Sequence, residues 1–171
     1  MGKHDLGNKD IHKDADALAV LLNGKVGGGG VDNPIFTEAF CGSTGTSVSP
    51  GNGVSQPDGL SSDAGGVFRM PAGKTSVTIS AICEPGSAAS GNVYGSISIF
   101  YGPATGGAVS SDGTTNAAVT VTSGNFVVLR TGTFNVGSDQ IVRVIYTRLG
   151  AHASDTFTTY IYTVGFTLSY S

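Results

Sequence analysis

A reactive centre in this 171-residue sequence would have to be drawn from three histidines, two cysteines and twelve carboxylates, with serine as the abundant alternative nucleophile. His4, His12 and His152 lack the close mutual spacing with which zinc ligands enter one site. Asp14 and Asp16 stand in "DAD" without the glycine turn and distal glutamate of a calcium loop, so no metal site is expected. Cys83-Glu84 and His152 with Asp155 can be written as parts of a nucleophile and its base. No GxSxG elbow, however, sets a serine where such a base could reach it. Glu38, Glu84, Asp112 and Asp155 have no spacing diagnostic of a glycosidase pair. Gly27 to Gly30 lack the lysine of a phosphate loop and open no helix. These residues predict neither catalysis nor a bound cofactor.

The bulk composition agrees with a structural or binding role. Charged residues make up 12% of the chain, and a net charge of −3 with only nine Lys plus Arg argues against nucleic acid, whose phosphates require clustered cations. No stretch approaches the ~20 apolar residues of a membrane helix. The apolar run Ala17–Leu22 is too short and too closely preceded by acids for a secretory signal. "MGKHDL" has Leu6 where a myristoylation site wants Ser or Thr. Cys41 and Cys83 could pair, but without a signal peptide two reduced, partly buried thiols are expected.

Two textures divide the chain. Over residues 8–23, Asn8 or Asp10 can cap a helix that Asn23-Gly24 closes. Ile11, Ala15, Leu18 and Leu22 recur at spacings of four, three and four, which forms one apolar seam. That seam can dock on the chain's own domain, join an oligomer bundle or attach the protein to a partner. The glycine run that follows reads as a swivel, because glycine loses the most backbone entropy on ordering. The predicted organisation is therefore an N-terminal arm at 1–30 and a β domain at 31–171.

Beyond the glycines, period-two alternation dominates. Val77, Ile79, Ala81 and Cys83 share a face, as do Ile97, Ile99 and Tyr101, and Ala117, Val119 and Val121. "NFVVLRTGTF" and "QIVRVIYTRLG" are further strand-length runs, with turn formers dense between them. About eight strands at this spacing predict a mainly β fold, an antiparallel β-sandwich or jelly roll carrying a short helical arm. Residues 41–66, poor in apolar anchors, are expected to form one long loop.

The closing stretch "DTFTTYIYTVGFTLSYS" places Tyr160, Tyr162, Val164, Phe166, Leu168 and Tyr170 on one face, with Thr159, Thr163, Thr167 and Ser169 opposite. Each tyrosine hydroxyl needs a hydrogen bond. The face therefore suits either a wet subunit interface, built from Tyr160, Tyr162, Phe166, Leu168 and Tyr170, or a core with hydroxyls at its rim.

"GGVFRMPAGKTSVTISA", residues 65–81, resembles the early strands of the trimeric jelly rolls related to tumour necrosis factor and the complement globular heads, and "FTTYIYTVGFTLSY" resembles their last strand. The resemblance implies a homotrimer. Trimers of this kind with an N-terminal attachment segment are similar to bacteriophage virion proteins: capsid decoration proteins, head fibres and tail-fibre tips. From that likeness follow a non-enzymatic virion protein made in the host cytoplasm, other capsid or tail proteins as partners, and attachment through Ile11, Ala15, Leu18 and Leu22. The alternatives are a tail-fibre, collar or receptor-binding component that contacts a host-surface glycan, or a carbohydrate-binding adhesin module, against which the absence of tryptophan counts.

Overall fold

The computed structural model describes residues 35–38, 40–41, 47–49, 53–86, 89–122 and 125–171, all within the compact unit Asn33–Ser171. The arm at 1–30, its helix, the glycine run and the attachment candidates Ile11, Ala15, Leu18 and Leu22 lie outside the described residues.

Alternation of apolar and polar residues makes these segments strands, because successive side chains of an extended backbone point to opposite faces. The described residues form twelve: β1 (Ile35–Glu38), β2 (Phe40–Cys41), β3 (Ser47–Ser49), β4 (Gly53–Gln56), β5 (Ser61–Arg69), β6 (Ser76–Pro85), β7 (Ser90–Pro103), β8 (Ser110–Gly113), β9 (Ala117–Thr122), β10 (Val127–Asn135), β11 (Gln140–Leu149) and β12 (Ile161–Tyr170). On β6, Val77, Ile79, Ala81 and Cys83 are all buried, as the sequence pattern predicts. Ile97 and Ile99 of β7 and Val142, Val144 and Tyr146 of β11 meet them from the other side of the same core.

The strands form two antiparallel sheets. One runs β10-β6-β12-β4-β3, with β1 also on β12; the other runs β2-β5-β11-β7-β8, with β9 also on β7. From β4 onward, the edge strands β8 and β9 aside, strands alternate between the sheets in chain order: β4, β6, β10 and β12 in the first, β5, β7 and β11 in the second. Most connections thus cross from one layer to the other, and the two inner faces close on a single core. The strand count exceeds the expected eight because two edges are broken. β9 covers Ser90–Gly95 of β7 and β8 covers Ser98–Tyr101, while β4 and β1 divide β12 in the same way.

The last strand corrects the single-face expectation. Thr163 opposes Cys83 and Gly165 opposes Ile82, so one extra residue, Val164, is inserted between them. Such a bulge inverts the parity of everything beyond it. Ile161 and Thr163 point into the core before it; Phe166, Leu168 and Tyr170 do so after it. Tyr162 is left on the outside, with Tyr160 half exposed just ahead of the strand. Gly53 faces the bulge with φ +85°, and a Cβ there would lie 2.7 Å from the Val164 Cα and closer still to the Thr163 carbonyl, so no larger residue fits.

The expected 41–66 loop is also corrected, since β3, β4 and the start of β5 lie in it. Val54 and Gln56 are buried at alternate positions of β4, and Ser62 and Ala64 of β5 likewise. Small and polar side chains conceal a strand whose backbone is satisfied by the sheet ladder. At the far end of the fold, the amide and carbonyl of Ser171 bond to Ser76 and Thr75 at 3.0 Å, which ties the end of β12 into the sheet.

Phe166 and Leu168 fill this chain's own core, whereas Thr167 between them faces outward. Phe166→Ala and Leu168→Ala are each expected to lower stability by ~2–5 kcal/mol in chemical denaturation, the usual cost of truncating a buried hydrophobe. Thr167→Ala is expected to stay within about 0.5 kcal/mol.

Candidate functional site

His4, His12, Asp14 and Asp16 lie outside the described residues, as do the side chains of Glu38 and Cys41; the other residues singled out for chemistry, Cys83, Glu84, Asp112, His152 and Asp155, do not converge on one centre. Burial pushes the Cys83 thiol up to about 12 despite the opposing charge of Arg148, so it is not a nucleophile at neutral pH. Glu84 is exposed on the outer side of β6. His152 stacks on Tyr94 with ring centroids 4.1 Å apart and planes 13° apart, and its Nδ1 accepts the Ser154 amide at 3.1 Å. Asp155, its supposed acid partner, is committed elsewhere. Among the described residues no group of three or more His, Cys, Asp or Glu could hold a metal ion.

Asp155 belongs to a buried polar cluster around Arg148, which β11 carries inward at the position after Val142, Val144 and Tyr146. Both side chains are fully buried. The guanidinium donates from Nε to Asp155 Oδ2 at 3.0 Å and from Nη2 to Oδ1 at 2.8 Å, in bidentate geometry. Its remaining donors reach the carbonyls of Gln56 at 2.9 Å, Thr159 at 2.7 Å and Phe157. Asp155 Oδ2 also accepts the Tyr94 amide at 3.0 Å. Gln56 extends the cluster across the sandwich: Thr163 donates to its Oε1 at 2.6 Å, and its Nε2 donates to the Ser62 carbonyl at 2.7 Å. Burial drives the neighbouring Tyr146 phenol well above its usual range. The cluster is a structural clamp between β4, β11, β12 and the 150–160 connection.

The outer faces of the two sheets differ. On the β12 sheet, cross-strand register sets Val128 of β10 beside Ile82 of β6, and Glu84 of β6 beside Tyr162 of β12. Phe126, 69% exposed, precedes β10, and the Tyr160 ring lies 6.3 Å from that of Tyr162. An apolar and aromatic band therefore crosses one end of this face. Along the rest, hydroxyls line up in two rows, Thr131–Ser80–Thr167 and Thr133–Thr78–Ser169. Ser80 and Thr131 bond to each other at 2.8 Å, and Thr78 and Thr133 at 2.9 Å. Of the five sequence-predicted interface residues, the structure gathers Tyr160 and Tyr162 here and places Phe166, Leu168 and Tyr170 in the core. Phe126, Val128 and Ile82 escaped the sequence reading because only strand register brings them to Tyr162.

On the β11 sheet the outer face holds a groove of about 450 Å³. Gly102 lies directly across from Ile141, and the missing side chain makes the floor. Phe100, Ile141, Pro103 and Val109 form the walls, and Arg143 sits directly opposite Phe100.

No protein-family model matches the chain, and no curated protein does. Among solved structures it is similar to TmCBM61, a structure determined in complex with β-1,4-galactotriose, at 8% identity and a TM-score of 0.31 over 69% of this chain and 70% of that one.

Removing one member of the Arg148 pair strands a buried charge. Asp155→Ala is expected to cost about 3–5 kcal/mol in chemical denaturation. Arg69→Ala, which breaks the pair with Asp139 whose side chains are 60% and 58% exposed, is expected to cost no more than about 1 kcal/mol.

Proposed function

We propose that the chain is a non-enzymatic jelly-roll protein of a virion surface, a capsid decoration or head-fibre protein, which assembles as a homotrimer through the outer face of the β12 sheet and attaches by its N-terminal arm. The observation that carries the assembly is that face: an apolar and aromatic band, with Phe126, Val128 and Tyr160 exposed and Ile82 and Tyr162 half-buried between them, beside paired rows of hydroxyls. Interfaces combine apolar cores with polar, hydrogen-bonding rims, and closed rotational symmetry lets one face of identical copies meet around one axis. The crossing of successive strands between sheets supports the jelly-roll form of the sandwich. So does the contact between Phe68 of the "GGVFRMPAG" motif and Tyr170 of the last strand, edge to face at 6.2 Å. Assignment to a virion rests on the resemblance of these two segments to trimeric jelly rolls.

In this reading the arm grips the particle with the seam of Ile11, Ala15, Leu18 and Leu22, and the glycine run absorbs the mismatch between particle and trimer symmetry. The groove on the opposite sheet favours a second reading, a receptor-binding component of the same architecture.

Light scattering coupled to size exclusion is expected to give three times the chain mass at micromolar concentration. Val128→Glu and Tyr162→Glu place charges on the proposed interface, where burial without a partner is costly, and are expected to give folded monomers. A monomeric wild-type chain would contradict the assembly. Deleting residues 1–26 is expected to leave the sandwich folded and abolish co-sedimentation with particles lacking the protein; retained binding by the truncated chain would reverse the polarity.

A further inference from the structure

We infer that the groove on the outer face of the β11 sheet is a binding site for an acidic sugar, a pyranose ring bearing a carboxylate. The two outer faces of a sandwich point in opposite directions, so this site does not depend on the assembly proposed for the β12 sheet.

The walls are unusually apolar for an exposed sheet face in a chain rich in Ser and Thr. Phe100 and Ile141 are each 41% exposed and Val109 69%. They flank a floor at Gly102, where β7 contributes no side chain opposite Ile141. The turn after Pro103 brings Val109 over this floor; Gly106 donates to the Pro103 carbonyl at 3.0 Å with φ +92°, a backbone state that suits glycine. The volume of about 450 Å³ lies within the range of small-ligand sites.

Arg143 gives the groove its polarity. Four arginines lie among the described residues. Arg148 is saturated by Asp155 and three carbonyls, Arg69 is paired with Asp139, and Arg130 donates to Thr114 and Thr115. Arg143 has no hydrogen-bond or ion-pair partner among the described residues. Its neighbours across the ladder are Phe100 on one side and Val67 on the other, neither of which can accept a hydrogen bond from it through a side chain. A guanidinium is a planar fork matched to a carboxylate, and here it stands at the edge of an apolar trough.

A ligand that satisfies both parts has an apolar face to lie on Phe100, Ile141 and Val109 and an anionic group at its rim. The trough is open on one side, so the remaining groups of that ligand stay in water. A sugar ring meets these terms, with C–H groups on its face and hydroxyls at its edge, and a carboxylate supplies the anion. A neutral sugar would leave Arg143 unmatched, and a bare phosphate would leave the walls unused.

The test is an NMR titration of the full-length chain with N-acetylneuraminate and glucuronate, alongside galactose and inorganic phosphate. Both acidic sugars are expected to shift the amides of residues 100–109 and 141–143 and to saturate. Arg143→Gln is expected to weaken that binding about tenfold or more, and Phe100→Ala several-fold, with the rest of the spectrum unchanged because both side chains are exposed. Equal binding of galactose would overturn the proposal. So would phosphate binding as tight as that of the acids, an Arg143→Gln variant with unaltered affinity, or no localised shift with either acidic sugar.

Discussion

Arg148 has no contact with solvent, and a guanidinium removed from water must be matched donor by donor. The sandwich is arranged to do this. Two donors are held by the Asp155 carboxylate, and the others by carbonyls of Gln56, Phe157 and Thr159. The arginine comes from β11 in one sheet, Gln56 from β4 in the other, and Asp155 from the connection to β12. Matching them fixes the separation of the sheets at this end and the path of the 150–160 segment, whose Thr156 and Phe157 amides are further held by the Asn92 carbonyl. Gln56 then ties Thr163 into the same cluster, one residue before the bulge that inverts β12. The parity of the last strand and the buried charge are thus parts of one constraint.

With both inner faces consumed by the core, the sandwich presents its two outer faces to solvent, and these are chemically unlike. The β12 sheet presents an apolar, aromatic band and hydroxyl rows that satisfy one another across strands. Such rows explain how a chain with 12% charged residues keeps an exposed sheet hydrated without a lattice of ion pairs. The β11 sheet instead carries a groove edged by Arg143, which has no hydrogen-bond or ion-pair partner among the described residues. The proposed association and the proposed ligand site thus occupy opposite sides of one sandwich.

The core of β6 was legible in the sequence because Val77, Ile79, Ala81 and Cys83 alternate without interruption, and β7 and β11 could be read in the same way. The last strand could not, because a bulge leaves no mark in composition: Val164 fits the alternation as well as any neighbour. β4 and β5 were hidden for the opposite reason, since Gln56 and Ser62 are polar yet buried. Arg148 reads in sequence as an ordinary charged residue near a strand end, and Asp155 as a partner for His152. Phe100 and Arg143 are separated by more than forty positions and meet only through register, so neither drew notice as a binding residue.

The proposed assembly covers the outer face of the β12 sheet and leaves that of the β11 sheet free. Hydroxyl-radical footprinting of the full-length chain, at concentrations above and below its association, tests this residue by residue. On association, Tyr160, Tyr162, Phe126 and Val128 should become protected while Phe100, Val109 and Ile141 oxidise as before. Protection of Phe100, Val109 and Ile141 with Tyr160 and Tyr162 unchanged would contradict the account.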